Sequence, residues 1–165
     1  DQLLENYYLG IETITIRSSI LDQLDHTFDE NLHSISDFDF FIRIAEKSKV
    51  KILKYITAKW RIHENNETFS FPKKFIDEGI IWKNKIEENY QHICIKYKNS
   101  WKIYVQNLNI NHAEYLLINN YKKDSLSKLK DIKYFNKKAT IIFICSWLPH
   151  GGQIYKILKN IRKNI

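Results

Sequence analysis

Methionine is missing from the whole sequence, the first position included, so the chain is expected to be a piece of a longer one. Glycine occurs four times and proline twice, which excludes collagen-like, linker-rich and low-complexity architectures. Cysteine is nearly absent. Cys94 and Cys145 are far apart and form no Cys-x-x-Cys or Cys/His pattern, which excludes a disulfide framework or a zinc module and leads us to expect two reduced, buried thiols. The apolar run Ala139 to Leu148 is about half of the ~20 residues that a bilayer span requires, so it is not expected to be a transmembrane helix. What remains is 44% hydrophobic and 14% aromatic, the composition of a folded globular chain with a sizeable core.

Charge is unevenly placed. Residues 1–70 hold 8 Lys/Arg against 12 Asp/Glu, a net of −4, whereas residues 71–165 hold 18 against 7, a net of +11. A basic second half calls for an anionic neighbour such as a membrane surface, a nucleic acid or a phosphorylated substrate. Nucleic acid is the weakest of these, because the basic residues are scattered over several helical stretches without a recognition motif. The acidic first half is the natural home of carboxylate chemistry.

The strongest local signal is Ser34 to Ala45. Ser36, followed three residues later by Asp39, has the form of a helix start in which the Ser36 hydroxyl caps a free backbone N–H and Asp37 takes the first helical position. Phe38, Phe41, Ile42 and Ala45 then recur at helical spacing, one apolar stripe of a helix running to about Lys47. Asp39 and Arg43 are four apart and form a structural pair. Before this helix, the alternation Ile11 to Arg17 predicts a half-buried strand, Ile20, Leu21 and Leu24 a short helix, and Phe28-Asp-Glu30 a loop anchored by a buried aromatic. After it, Val50 to Ile62 is rich in Ile, Val, Tyr, Trp and Thr and predicts one or two strands, ending in the polar loop Trp60 to Ser70.

From Pro72 onward the pattern is helical. One stripe runs through Phe75, Gly79, Trp82 and Ile86, a second from Tyr97 to Leu108, a third from Asn111, and a fourth begins at a cap on Asp124 or Ser125. Beyond Pro149, His150, Gly151 and Gly152, a terminal helix puts Ile154, Ile157, Leu158 and Ile161 on one face, with Lys156, Lys159, Arg162 and Lys163 largely off it. Residues 153–165 therefore read equally as a helix lying on an anionic membrane surface or as an ordinary amphipathic helix packed on its own domain.

Taken in order, the strand with Ile16-Arg-Ser, then Phe28-Asp-Glu, then Ser36-Asp-Phe-Asp-Phe-Phe-Ile-Arg-Ile-Ala, then Trp60-Arg-Ile-His-Glu-Asn-Asn resemble the second half of the catalytic domain of family-2 glycosyltransferases with the GT-A fold. The resemblance spans roughly residues 9–70. It implies an α/β fold: a partial GT-A-type sheet over 1–70, the acceptor-side half of the catalytic domain, followed by an all-helical region over 71–165 that ends in the basic amphipathic helix. By the same resemblance Asp37 is the general base of an inverting sugar transfer in bacterial surface polysaccharide synthesis, although Ser36 stands where the family has a second acid. Trp60, Arg61 and His63 lie on the acceptor or diphosphate side, and Ser36, Asp39 and Arg43 support the site. His63 is a candidate contact to a divalent Mg or Mn ion whose other ligands belong to a half not present here. The implied partners are a nucleotide-sugar donor and a glycan or lipid-linked acceptor, and the implied location is the cytoplasm, peripheral to the membrane. Without the nucleotide-binding half the piece is expected to be inactive, and no cofactor is expected tightly bound in it. The competing reading is a non-catalytic helical module that binds a partner protein or an anionic membrane.

Overall fold

The computed structural model describes residues 1–59, 61, 63, 70–132 and 136–163. Among these residues every regular element is a helix, and none is a strand. The chain gathers into two compact units, Asp1–Tyr104 and Val105–Ile165.

The first unit contains α1 (Gln2–Glu5), a 3-10 turn (Ile11–Thr13), α2 (Ser18–Leu21), α3 (Ser36–Lys47), α4 (Pro72–Asn89), α5 (Gln91–Lys96) and the first turns of α6 (Lys98–Ile118). The helix expected from Ser36 to Lys47 is present, but it is buried all round from Phe38 to Ile44 rather than along one stripe. Both sides find apolar partners. Phe40, Phe41 and Ile44 pack against Tyr7, Leu9, Ile14, Ile16, Ile20 and Leu24. On the other side, Phe38 meets Trp82 at 4.7 Å and Tyr104 at 5.7 Å between ring centroids. Trp82 and Ile86 of α4 are fully buried, as their stripe predicts, and Pro72 starts that helix at a position where its missing N–H costs nothing.

Among the described residues the predicted sheet is not formed, and this corrects the α/β expectation. Ile11 to Arg17 becomes the 3-10 turn followed by extended backbone, and Val50 to Lys59 is irregular. Val50, Ile52, Tyr55 and Ile56 are 65%, 73%, 73% and 90% exposed. The cause is physical: β-branched and aromatic residues favour a strand only where a neighbouring strand supplies ladder hydrogen bonds and a surface to pack on. No such neighbour exists among the described residues. Phe28 is likewise more open than expected, 43% exposed and leaning on Phe40 at 4.7 Å.

The second unit holds the rest of α6, α7 (Lys122–Leu129), α8 (Lys137–Trp147) and α9 (Gly151–Lys163). The separate stripes before and after Asn109 belong to one continuous α6, since asparagine weakens a helix without breaking it. Ile110, Ala113 and Leu117 of α6, Leu129 of α7, Ala139, Ile142 and Cys145 of α8 and Tyr155 of α9 form a single core. Asn136 caps α8, its side chain accepting the Ala139 N–H at 2.9 Å. Helix α7 starts at Lys122 without a side-chain cap, and Ser125 lies inside it, buried, donating to the Ala113 carbonyl at 2.8 Å. The two glycines that open α9 are required by close approach. A Cβ on Gly151 would stand 1.7 Å from the Cys145 carbonyl oxygen, and one on Gly152 would stand 2.4 Å from that of Leu117. Both cysteines are free thiols, Cys145 buried and Cys94 half-buried, and burial raises the pKa of each. No described helix is long and apolar enough to cross a membrane.

Candidate functional site

Two acids open α3, and the structure gives them different work. Asp39 is wholly buried. Its Oδ2 accepts from Arg43 Nε at 2.9 Å, and its Oδ1 accepts from Trp82 Nε1 at 2.9 Å and from Lys85 Nζ at 3.2 Å. The Arg43 fork continues to the carbonyls of His26 and Thr27 at 2.6 and 2.7 Å, so each of the three guanidinium nitrogens makes a bond within the fold. Lys85 also donates to Asp29 at 2.7 Å, and Asn31 donates twice to the other oxygen of Asp29. Burial alone would raise the pKa of Asp29, but the Lys85 ammonium and the Asn31 N–H groups outweigh it and bring the value down to about 2. This is a structural network, in which each charge is matched by a hydrogen-bonded partner.

The cap expected from Ser36 comes instead from another helix. Ser36 is the first helical residue, Ile35 precedes it, and the Ser36 hydroxyl donates to the His33 carbonyl at 3.2 Å. One oxygen of the buried Glu78 on α4 accepts the N–H groups of His33, Ser34 and Ile35 at 3.0, 2.7 and 3.1 Å. A negative charge at the positive end of α3 thus comes from residue 78. Glu78, Trp82 and Lys85 share one face of α4 by their four- and three-residue spacing, and an acid and a base on a stripe with a tryptophan is the signal that could have revealed them.

Asp37 is left with a different environment. Its carboxylate is half-buried, accepting the Tyr7 hydroxyl on Oδ2 at 2.8 Å and the Phe38 N–H on Oδ1 at 2.7 Å. No ion pair to Asp37 exists among the described residues. Tyr7 is fixed in turn by an edge contact to Phe38, with centroids 5.3 Å apart. Burial first, then the hydrogen bond and charge of Asp37, raise the pKa of Tyr7, so its phenol stays a donor through the physiological range. The result is an oriented carboxylate that no cation among the described residues neutralises.

Of the other residues singled out by sequence, Arg61 and His63 are exposed, and Trp60 lies outside the described residues. Among the described residues no three His, Cys, Asp or Glu side chains come together as a metal-binding group. The described residues do not make a metal site, and no chemical step is assigned to one. Comparison with protein families, curated proteins and solved structures found no match. Together with the absence of any strand among the described residues, this overturns the resemblance to family-2 glycosyltransferases and the GT-A fold it implied.

Proposed function

We propose that the chain contributes the catalytic carboxylate of an inverting glycosyltransferase that moves a sugar from a nucleotide-sugar donor to a glycan or lipid-linked hydroxyl acceptor. The observation that supports this is the contrast within α3. Asp39 is consumed by the fold, whereas Asp37 is positioned by Tyr7 and the Phe38 N–H and is paired with no cation among the described residues. A general base has these needs: a fixed orientation, an available lone pair and partial access to the acceptor. In the step envisaged, the Asp37 carboxylate takes the proton of the acceptor hydroxyl as its oxygen attacks the anomeric carbon. The bond from that carbon to the nucleoside diphosphate breaks with the electron pair leaving on the phosphate oxygen. Positive charge near the departing phosphate lowers the barrier, and on this reading the exposed Arg61 supplies it while the exposed His63 contacts the diphosphate. Tyr7 acts as a positioning residue for Asp37.

The test is a transfer assay over a panel of sugar nucleotides, with the chain in its full gene product, comparing wild type with Asp37→Asn. Loss of roughly 10²-fold or more in kcat, with an unchanged circular dichroism spectrum, is the expected result. Tyr7→Phe should reduce the rate by a smaller factor and leave substrate KM largely unchanged. Undiminished transfer by Asp37→Asn would return Asp37 to the role of a helix-start acid. Absence of transfer from any donor would favour the non-catalytic helical module.

A further inference from the structure

Helix α9 is turned inside out. Its inward face is Gly151, Gly152 and Tyr155, all buried, continued by Lys159. Tyr155 and Lys159 both donate to Oε1 of Glu114, at 3.2 and 2.5 Å. With about 100° of rotation per residue, Ile154, Ile157, Leu158 and Ile161 form a separate arc of roughly 100°. Only Ile154, at the start of that arc, packs against the core. Ile157, Leu158 and Ile161 are 61%, 44% and 54% exposed. An ordinary terminal helix would turn these three residues inward and its lysines outward.

The end of α8 repeats the pattern immediately before the corner at Pro149 and His150. Phe143, Ile144 and Trp147 lie outside, opposite the buried Ile142 and Cys145, and Trp147 is 70% exposed with its ring edge-on to Phe143 at 6.3 Å. Charge sorts the same way. From Ile132 to Ile165 the sequence has seven Lys/Arg and no Asp or Glu. Glu114 of α6 pairs with two of those lysines, Lys138 and Lys159. Protruding aliphatic side chains, an open tryptophan beside a helix corner and a segment whose own charges are all basic are the chemistry of an anionic lipid surface. Such a surface takes apolar side chains at its acyl boundary, indole at the headgroup level and ammonium groups among the phosphates.

We propose that the outer arc of α9 and the Phe143, Ile144 and Trp147 face of α8 dock on an anionic lipid bilayer. This does not depend on the transfer reading, since none of these residues belongs to the Asp37 site. The experiment is sedimentation of the chain with vesicles of equal parts phosphatidylcholine and phosphatidylserine, against vesicles of phosphatidylcholine alone. Binding to the anionic vesicles is expected to be roughly tenfold stronger or more, and to weaken when salt rises from about 0.1 M to about 0.5 M. The double variant Ile157→Ser/Ile161→Ser and the single variant Trp147→Ser should each reduce binding several-fold. Their thermal melts should match wild type, because the altered side chains are exposed. Lys156→Glu should weaken binding to the anionic vesicles alone. Equal binding to both vesicle types, or binding indifferent to all three apolar substitutions, would overturn the proposal. So would an absence of vesicle binding combined with self-association that the Ile157→Ser/Ile161→Ser variant abolishes, which would make the face a protein–protein contact.

Discussion

Asp39 in the first unit and Glu114 in the second are both buried carboxylates with more than one cationic partner, yet they stabilise their surroundings in different ways. Asp39 is 0% exposed, its Arg43 partner 7%, and its third donor is the indole of a fully buried tryptophan. Glu114 is met by Lys138 and Lys159, whose side chains are 34% and 45% exposed. The first cluster sits where aromatic packing and the ion network depend on one another. The second sits at the rim of an aliphatic core that closes without it. A dry, forked, indole-bridged carboxylate fixes structure, whereas a lysine-bridged one at a water boundary mainly adjusts it.

The largest expected break in this comparison is Asp39→Ala. It strands the Arg43 guanidinium in the interior and removes the acceptor of Trp82, and should cost about 3–5 kcal/mol. The measurement is the urea midpoint followed by tryptophan fluorescence, and a loss below about 1 kcal/mol would place Asp39 in the same class as Glu114. Asp39→Asn, which keeps an oxygen for the indole, should fall between.

Glu78→Ala comes next. Three backbone N–H groups lose one acceptor oxygen, so the start of α3 should loosen by about 1–3 kcal/mol, read as faster amide exchange at His33, Ser34 and Ile35. Glu78→Gln retains an oxygen but not the charge and should recover part of that loss. Unchanged exchange would mean that water satisfies these groups as well as the carboxylate does.

How much of this was legible in the sequence divides along physical lines. Local signals survived: the helix at Ser36–Lys47, the Asp39–Arg43 spacing and the Trp82 and Ile86 stripe all depend on residues three or four apart, whose geometry is set by the helix itself. Signals that need a distant partner did not. The β-rich run Val50 to Ile56 has no ladder to join, Ser36 lost its capping role to an acid 42 positions away in sequence, and nothing local showed that α3 would be covered on both faces. Tyr7 could not be found as the partner of Asp37 for the same reason, since the two are 30 residues apart.

Acid sharpens the comparison further. The folded-state pKa of Asp29 is about 2 against an ordinary 3.8, so its contribution is fully present above about pH 4 and is lost as pH falls towards 2. Discounted for the water that reaches this carboxylate, it amounts to about 1 kcal/mol. Burial pushes Glu114 upward, but the hydrogen bonds and charges of Lys138 and Lys159 hold it below its ordinary value, and its contribution also fades on acidification. Stability of the first unit should therefore fall between about pH 4 and pH 2, and that of the second should also fall on acidification, measured by urea titration at fixed pH. Asp29→Asn should flatten the fall in the first unit alone.

Glu114→Gln should have the smallest effect, under about 1 kcal/mol, because Lys138 and Lys159 can return to water and the amide oxygen can still accept from Tyr155. Salt separates the two carboxylates most directly. Raising ionic strength to about 0.5 M should erase most of the Glu114→Gln effect while leaving that of Asp39→Ala nearly intact, since partly exposed pairs are screened and buried ones are not. A Glu114→Gln effect that persists at high salt would show that the lysine pair is as well shielded as Arg43. In that case the inward turn of Lys159, which leaves Ile157, Leu158 and Ile161 facing outward, would be fixed by a dry ion pair rather than by the glycine contacts at the start of α9.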